Sequence, residues 1–357
     1  AAEQRAELAG FLGLTASQPH SLTPITLLHT ARSRMMSRVR PVVLRKRRAF
    51  SVVVGGAASE SFAERGYAYV KGLRVLDDVT VAKLRVGLPL LFRGEFDSGV
   101  YPDEMHWREG ISRDDAPREI VNAWKADRTV ASVVLSEHLG RLAASLAGWD
   151  SARIVQDDVV WIPPGSGPVG YHQDSAYISR QFTPRANNSV TMWIALDDCD
   201  REVGKIEYAT MTTPLPPPEG SAADPSTSRS SLPSFHGADA SNYRAPAEAA
   251  ALSLGRRVEF EAVTVKPGEC VVHARDCWHG SAPNVSAQRH RRALVVHFLR
   301  GDARFIDGHS LQGTGGPSYF YSRYKSLDSN RLPEEAFPIT FSKDGYRTGW
   351  IDTFLMP

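Results

Sequence analysis

The pattern of apolar and polar positions changes character near residue 150. Before that point the apolar residues recur at helical spacing. Residues 62–71 read as a short helix, a stop at Gly66 and a strand. Asp77-Asp78 caps a helix whose apolar stripe is Val81, Leu84 and Leu88, with Pro89 expected to end or kink it. Residues 92–115 follow no period. Pro117 is expected to open a second helix over about 117–128. A third is expected over 130–147, with Val133, Leu135, Leu139, Leu142 and Leu146 facing inward. From Ala152 on, the apolar runs are short, β-branched and bounded by turn residues. They predict strands over 153–162, 189–196, 204–209, 258–265, 269–274 and 291–299. Helices followed by many short strands predict a mainly β protein with flanking helices, built as a double-sheet jelly roll.

One stretch interrupts this pattern. Residues 212–256 are rich in Pro, Ser and Ala, with Pro214, Pro216, Pro217 and Pro218 close together. A loop of that length inside a compact domain is either functional or disordered. The two expectations are a lid over the mouth of the fold and a plain surface insertion.

Charge divides the chain differently. Residues 8–59 contain no Asp or Glu, and residues 1–50 carry a balance of +7 against −5 for the remainder. An arginine-rich, acid-free leader fits a mitochondrial presequence cut near Phe50, or else a disordered basic arm on a cytoplasmic protein. Met35-Met36 offers an alternative start within it. Residues 1–55 are therefore set apart from one folded domain over 56–357. The mildly acidic body argues against nucleic-acid binding, and no apolar run reaches the length of a membrane span. Three scattered cysteines, Cys199, Cys270 and Cys277, fit neither a disulfide framework nor a zinc finger and suit a reducing, intracellular setting.

The candidate chemistry begins at Gly170-Tyr171-His172-Gln173-Asp174-Ser175. On a strand, residues two apart share a face, so His172 and Asp174 could hold one metal ion while Gln173 points away. The plain alternative is a surface strand that carries both residues for no chemical reason. Two histidines and one carboxylate with open positions opposite are the ligand set of non-haem iron oxygenases. His279, between a strand and a Gly-Ser turn in Cys277-Trp278-His279-Gly280-Ser281, is the candidate for the second histidine. His273 and His297 compete with it, although each lies within an apolar strand where a hydrogen-bonded core histidine is the commoner case. Arg289-His290-Arg291-Arg292 opens the last strand, and a guanidinium facing a cavity there could grip a carboxylate through two hydrogen bonds. The alternative is a solvated basic turn.

His172-Gln173-Asp174, Trp193 on a strand, Trp278-His279-Gly280-Ser281 with Asn284, and Arg291-Arg292-Ala293-Leu294, in this order, resemble the phytanoyl-CoA dioxygenase family over roughly residues 60–300. The resemblance implies a double-stranded β-helix (a jelly roll, cupin-like) and an oxidoreductase that uses Fe(II), 2-oxoglutarate and O2. His172, Asp174 and His279 would bind iron. Arg291 would bind the distal carboxylate of 2-oxoglutarate, with Ser281 assisting and Trp193 walling that pocket. Arg289 is the alternative anchor. Gln156 would lie near the co-substrate or substrate, or be a plain buried glutamine. The reaction implied is hydroxylation, or a desaturation or ring closure, of an organic small-molecule or acyl substrate with release of succinate and CO2. Related halogenases replace the carboxylate ligand by a small residue, so the presence of Asp174 points away from halogenation. A non-catalytic cupin-like metal-binding or sensing module is the other reading. Residues 209–213 depart from the family pattern, which leaves the substrate open. Tyr171, Tyr177, Trp161 and Phe182 are aromatic candidates near the site, and Arg180 and Arg185 are candidates for a phosphate-bearing acyl carrier.

Overall fold

The computed structural model describes residues 74–210, 240–313 and 315–356, with residues 62 and 66–68. The basic leader 1–55 and residues 211–239 lie outside the described residues, and with them the presequence expectation and most of the expected lid.

In chain order the strands are β1 (Tyr67–Ala68), β2 (Glu104–Met105), β3 (Arg118–Val121), β4 (Ser151–Ile162), β5 (Val169–His172), β6 (Phe182–Thr183), β7 (Ser189–Ala195), β8 (Ile206–Thr210), β9 (Glu259–Val263), β10 (Cys270–Ala274), β11 (His279–Ser281), β12 (Arg291–Arg300), β13 (Arg304–Phe305) and β14 (Ile339–Ser342). A large sheet runs β1-β10-β7-β12-β4-β3-β2, with β14 also on β4, and a smaller sheet runs β5-β11-β8-β9. From β7 to β12 the chain passes back and forth between the two, which makes the jelly roll that the strand pattern predicts. The site lies between them.

The helices are α1 (Asp78–Phe92), α2 (Arg128–Val134), α3 (Glu137–Ala147), α4 (Ala245–Ser253), α5 (Tyr319–Ser322) and α6 (Ile351–Leu355). Asp77 caps α1 by accepting the Thr80 N–H at 2.7 Å. Pro89 does not end α1. One backbone bond is lost there, but Leu91 and Phe92 continue the buried face of Val81, Leu84 and Leu88, and that burial outweighs it. The helix expected over 130–147 is two helices, because the Ser136 hydroxyl caps a new start by accepting the Leu139 N–H at 3.4 Å. The helix expected over 117–128 is absent. Residues 118–121 form β3 instead, paired with β4 from Arg118↔Trp161 to Val121↔Asp158, so a partner about forty residues away overrides the local pattern.

The core sits on the outer face of the large sheet. Ile154, Val159, Met192, Ile194, Leu294, Val296 and Phe298 pack against Leu84, Leu88, Val130, Leu139 and Leu142 of the helices. A bulge in the β4–β12 pairing at His297/Phe298 keeps Phe298 and Ile154 on this side while Gln156 and His297 face inward. Beyond β12 the chain adds Phe305, Tyr321 and Phe337, which form a further cluster with Phe182 of β6. Just after residue 239 the chain is fastened to the smaller sheet. Tyr171 N–H donates to the Tyr243 carbonyl at 2.9 Å, and Glu207 accepts from Tyr243 at 3.0 Å and from Arg244 at 2.7 Å. Among the described residues all three cysteines are free and buried, and no helix is long and apolar enough to cross a membrane.

Candidate metal centre

Strands β5 and β11 run antiparallel with His172 directly opposite His279. Gly280 permits this close approach, since a Cβ there would stand 2.7 Å from the Tyr171 ring and 2.8 Å from the Val169 carbonyl oxygen. β5 ends at His172, and Asp174 opens a short 3-10 turn over 174–176. Gln173 between them stays extended (φ −123°, ψ 133°), so the two residues still share a face, as the spacing predicts, although the strand itself ends at His172. Gln173 points away, donating to the Asp276 carbonyl at 2.6 Å. Asp174 Oδ1 lies 3.9 Å from His172 Nε2 and 3.6 Å from His279 Nε2. The three ligand-capable atoms all fall within 4.8 Å of one another.

Hydrogen bonds fix which nitrogens face inward. His172 Nδ1 is 2.8 Å from the Gly170 carbonyl and His279 Nδ1 is 3.0 Å from the Cys277 carbonyl. A carbonyl only accepts, so each Nδ1 carries the proton and each Nε2 offers its lone pair. Burial, reinforced by neighbouring His273, pushes His279 down to about 4, which keeps that lone pair available at neutral pH. Burial alone would raise Asp174, but His279, His273 and His297 outweigh it and hold the carboxyl well below its usual range. Two neutral imidazoles and one carboxylate, aimed at one point, fit a divalent first-row metal ion.

His273 and His297 are buried and fully hydrogen-bonded, but they line the same cavity. His273 Nε2 faces Asp174 Oδ2 at 3.2 Å and its Nδ1 meets the Tyr208 hydroxyl at 3.1 Å. Burial pushes its pKa down, so it is neutral, takes the Tyr208 proton at Nδ1 and donates from Nε2. Its tautomer is the reverse of that in His172 and His279, and no lone pair is left for a metal. His297 Nδ1 lies 2.8 Å from Thr191 Oγ1 and its Nε2 lies 2.9 Å from Asp158 Oδ2. Burial opposes its charge, but Asp158 and Asp174 prevail and raise its pKa. Thr191 in turn donates to Asp174 Oδ2, and Tyr177 donates to Oδ1 at 2.7 Å.

Arg291 lies in the same cavity, buried, on the inner face of β12. Its Nη2 donates to Ser281 Oγ at 2.8 Å, and its Nη1 donates to the carbonyls of Gly204 and, at 3.4 Å, Ala282. Gly204 (φ +80°) lets the two segments meet, since a Cβ there would stand 2.1 Å from the Ala282 oxygen. Among the described residues no carboxylate pairs with Arg291. A buried cation held only by neutral groups fits a carboxylate supplied from outside. Arg289 is elsewhere. Its side chain is 39% exposed and pairs with Asp200 and Glu202, both at 2.8 Å. Trp193 lines the cavity with Val169, Ile206, Ala293 and Val295.

The far wall holds Glu104, Glu119, Gln156, Asp158, Phe320 and Tyr321. Gln156 Nε2 donates to both Asp158 oxygens at 2.9 and 3.0 Å, and its Oε1 accepts from the Tyr321 hydroxyl at 2.8 Å. Nothing in the local sequence pattern places Phe320 and Tyr321 at the site. They come from a segment with no period, and the run Tyr319-Phe320-Tyr321 is its one signal. Of the four aromatic candidates only Tyr177 lines the cavity. Tyr171 packs against Phe260, Trp161 against Phe92, and Phe182 against Phe305. Arg180 and Arg185 do not line it, and Arg291 is its one arginine or lysine among the described residues.

A family model described as phytanoyl-CoA dioxygenase (PhyH) matches residues 62–210 and 228–293. No curated protein matches the sequence. The fold resembles that of the non-heme alpha ketoglutarate dependent carbocyclase SnoK from nogalamycin biosynthesis (TM-score 0.57, 20% identity, covering 80% of this chain and 96% of that one). It also resembles the epimerase SnoN from nogalamycin biosynthesis (TM-score 0.55, 18% identity, 80% and 97%). A second SnoN structure holds Fe3+, alpha ketoglutarate and nogalamycin RO (TM-score 0.54, 19% identity, 80% and 97%).

Proposed function

The chain belongs to the phytanoyl-CoA dioxygenase family, and we propose that it is an iron(II)- and 2-oxoglutarate-dependent oxygenase acting on a C–H bond of an organic small molecule. One observation carries this reading. Two imidazole lone pairs and a carboxylate converge in the cavity that also holds a buried guanidinium with no carboxylate partner among the described residues. A ligand set for a metal and an anchor for an anion are the two things a chelating dicarboxylic keto acid requires.

In this reading His172, Asp174 and His279 hold the iron. Bound iron(II) and 2-oxoglutarate supply, with O2, an oxidant strong enough for an unactivated C–H bond, and succinate and CO2 are released. The remaining work is done by the chain. The Gly170 and Cys277 carbonyls keep the ligand imidazoles turned inward. Arg291, steadied by Ser281 and the Gly204 carbonyl, orients the distal carboxylate. Trp193, Ile206, Ala293 and Val295 line the space between with apolar surface that excludes water.

Arg291 is committed to the co-substrate, and the far wall presents Glu104, Glu119 and Asp158. Within the cavity this charge pattern favours a substrate without phosphate over a coenzyme A thioester. Hydroxylation is the proposed outcome, with desaturation or ring closure as variants of the same C–H oxidation.

The test is O2-dependent formation of succinate from 2-oxoglutarate by the purified chain with Fe(II), first alone and then with panels of free acids, neutral polyols, amines and acyl-CoAs. Turnover that needs Fe(II), stops with EDTA and disappears in His172→Ala is expected. Metal-independent turnover, or an undiminished rate in His172→Ala, would overturn the proposal. Stimulation by acyl-CoAs alone would overturn the substrate class.

A further inference from the structure

We infer that Thr191, backed by His297, Asp158 and Gln156, is a positioning device that locks Asp174 so that it offers the metal one oxygen only. This rests on the reading of Asp174 as a metal ligand.

Donor and acceptor counting gives the chain of bonds one direction. The Thr191 hydroxyl has one proton and faces a carboxylate, which only accepts, so that proton goes to Asp174 Oδ2. The Thr191 oxygen is then the acceptor for the Nδ1 proton of His297, 2.8 Å away. His297 Nε2 is paired with Asp158 Oδ2 at 2.9 Å. Asp158 is held by the Gln156 amide at 2.9 and 3.0 Å, and the Gln156 carbonyl is held by the Tyr321 hydroxyl at 2.8 Å. Every member is buried, so a lost partner costs more here than at the surface. Rotating the Asp174 carboxylate would strand the Thr191 hydroxyl and the His273 Nε2 proton together, since both aim at Oδ2.

The consequence for the metal is one of coordination number. A carboxylate free to rotate can chelate through both oxygens and take a position that co-substrate or O2 needs. Here Oδ2 has two donors of its own, while Oδ1 accepts a single proton, from Tyr177 at 2.7 Å, keeps a lone pair, and is the oxygen nearest both ligand imidazoles. The open face opposite the triad is thus protected by residues that never touch the ion. His297 and Thr191 are positioning residues in this sense, and the Tyr321 end of the chain ties the metal carboxylate to the far wall.

Co(II) titration of the metal-free protein, read from its visible absorption bands, tests this without turnover. Thr191→Val keeps the volume and removes the hydroxyl. Its Co(II) affinity should fall about 10- to 100-fold, with altered bands, beside a lowered unfolding midpoint of the metal-free protein from the stranded His297 proton. Thr191→Ser restores the hydroxyl and should return both affinity and bands to near wild type. Should Thr191→Val fail to fold, His297→Gln, which can reach only one of its two partners, is expected to weaken Co(II) about tenfold. Wild-type affinity and bands in Thr191→Val or His297→Gln would overturn the inference, as would Thr191→Ser as impaired as Thr191→Val. Wild-type affinity in His172→Ala would instead overturn the metal reading itself and the lock with it, which tells the two failures apart.

Discussion

Strand β12 has two faces built from alternate residues of one run. Leu294, Val296 and Phe298 point outward into the helical layer. Arg291, Ala293, Val295 and His297 point inward to the cavity. Both faces are buried, yet they follow opposite rules. The outer face is filled with large apolar side chains and leaves no space. The inner face sets two small residues, which leave room, between two basic groups that are costly to bury unless each has a partner. His297 finds one in Asp158. Arg291 finds only neutral groups among the described residues. The comparison teaches that stability is concentrated on one side of this sheet and binding on the other, within one pleat of each other.

Substitutions can break or sharpen that division. The largest effect is expected on the inner side. His279→Ala or Asp174→Ala should reduce succinate formation to background, and in His279→Ala the metal-free protein should unfold near the wild-type temperature. Activity retained by either variant would show that chemistry is not confined to this side. The next is on the outer side. Leu294→Ala leaves a cavity in a filled layer and should cost about 2–5 kcal/mol in chemical denaturation, with the KM for 2-oxoglutarate unchanged in the folded fraction. A shifted KM would mean the two faces are mechanically linked. Arg291→Ala removes a charged partner worth about 1.5–3 kcal/mol and should raise that KM roughly one to two orders of magnitude, leaving Co(II) affinity within a few-fold. Arg291→Lys should recover only part of the loss, since an ammonium cannot reproduce the planar fork. Arg289→Ala is the smallest. Its pairs with Asp200 and Glu202 lie at the surface, where water screens them, and the KM should not move. An Arg289→Ala defect larger than that of Arg291→Ala would reverse the assignment of the two arginines.

How far the sequence reveals this follows the same division. The alternation in β12 and β7 is legible because the neighbouring strands impose a period of two on both faces. The strand at 118–121 is not legible. Arg118 and Glu119 are ordinary helix residues, and only pairing with β4 makes them extended. At the centre, the sequence offers His172 and Asp174 through their spacing and His279 through its place before a Gly-Ser turn, and the structure brings the three together. His273 and His297 resembled ordinary core residues. The partners that give them a role, Asp174 and Asp158, lie 99 and 139 positions away, beyond the reach of any local pattern. Tyr321 is hidden for the same reason, since the bond to Gln156 spans 165 positions.

The brevity of β11 has a further consequence. Its three residues are His279, Gly280 and Ser281. The first presents a nitrogen to the metal position, and the last braces the guanidinium assigned to the far carboxylate. Residues two apart on a strand are separated by roughly 7 Å along its axis, and Gly280 pins that segment against β5 with no space for a side chain. The strand therefore acts as a ruler between the two ends of whatever lies across it. Under the proposed function, a dicarboxylic keto acid would be measured against a length that the backbone sets.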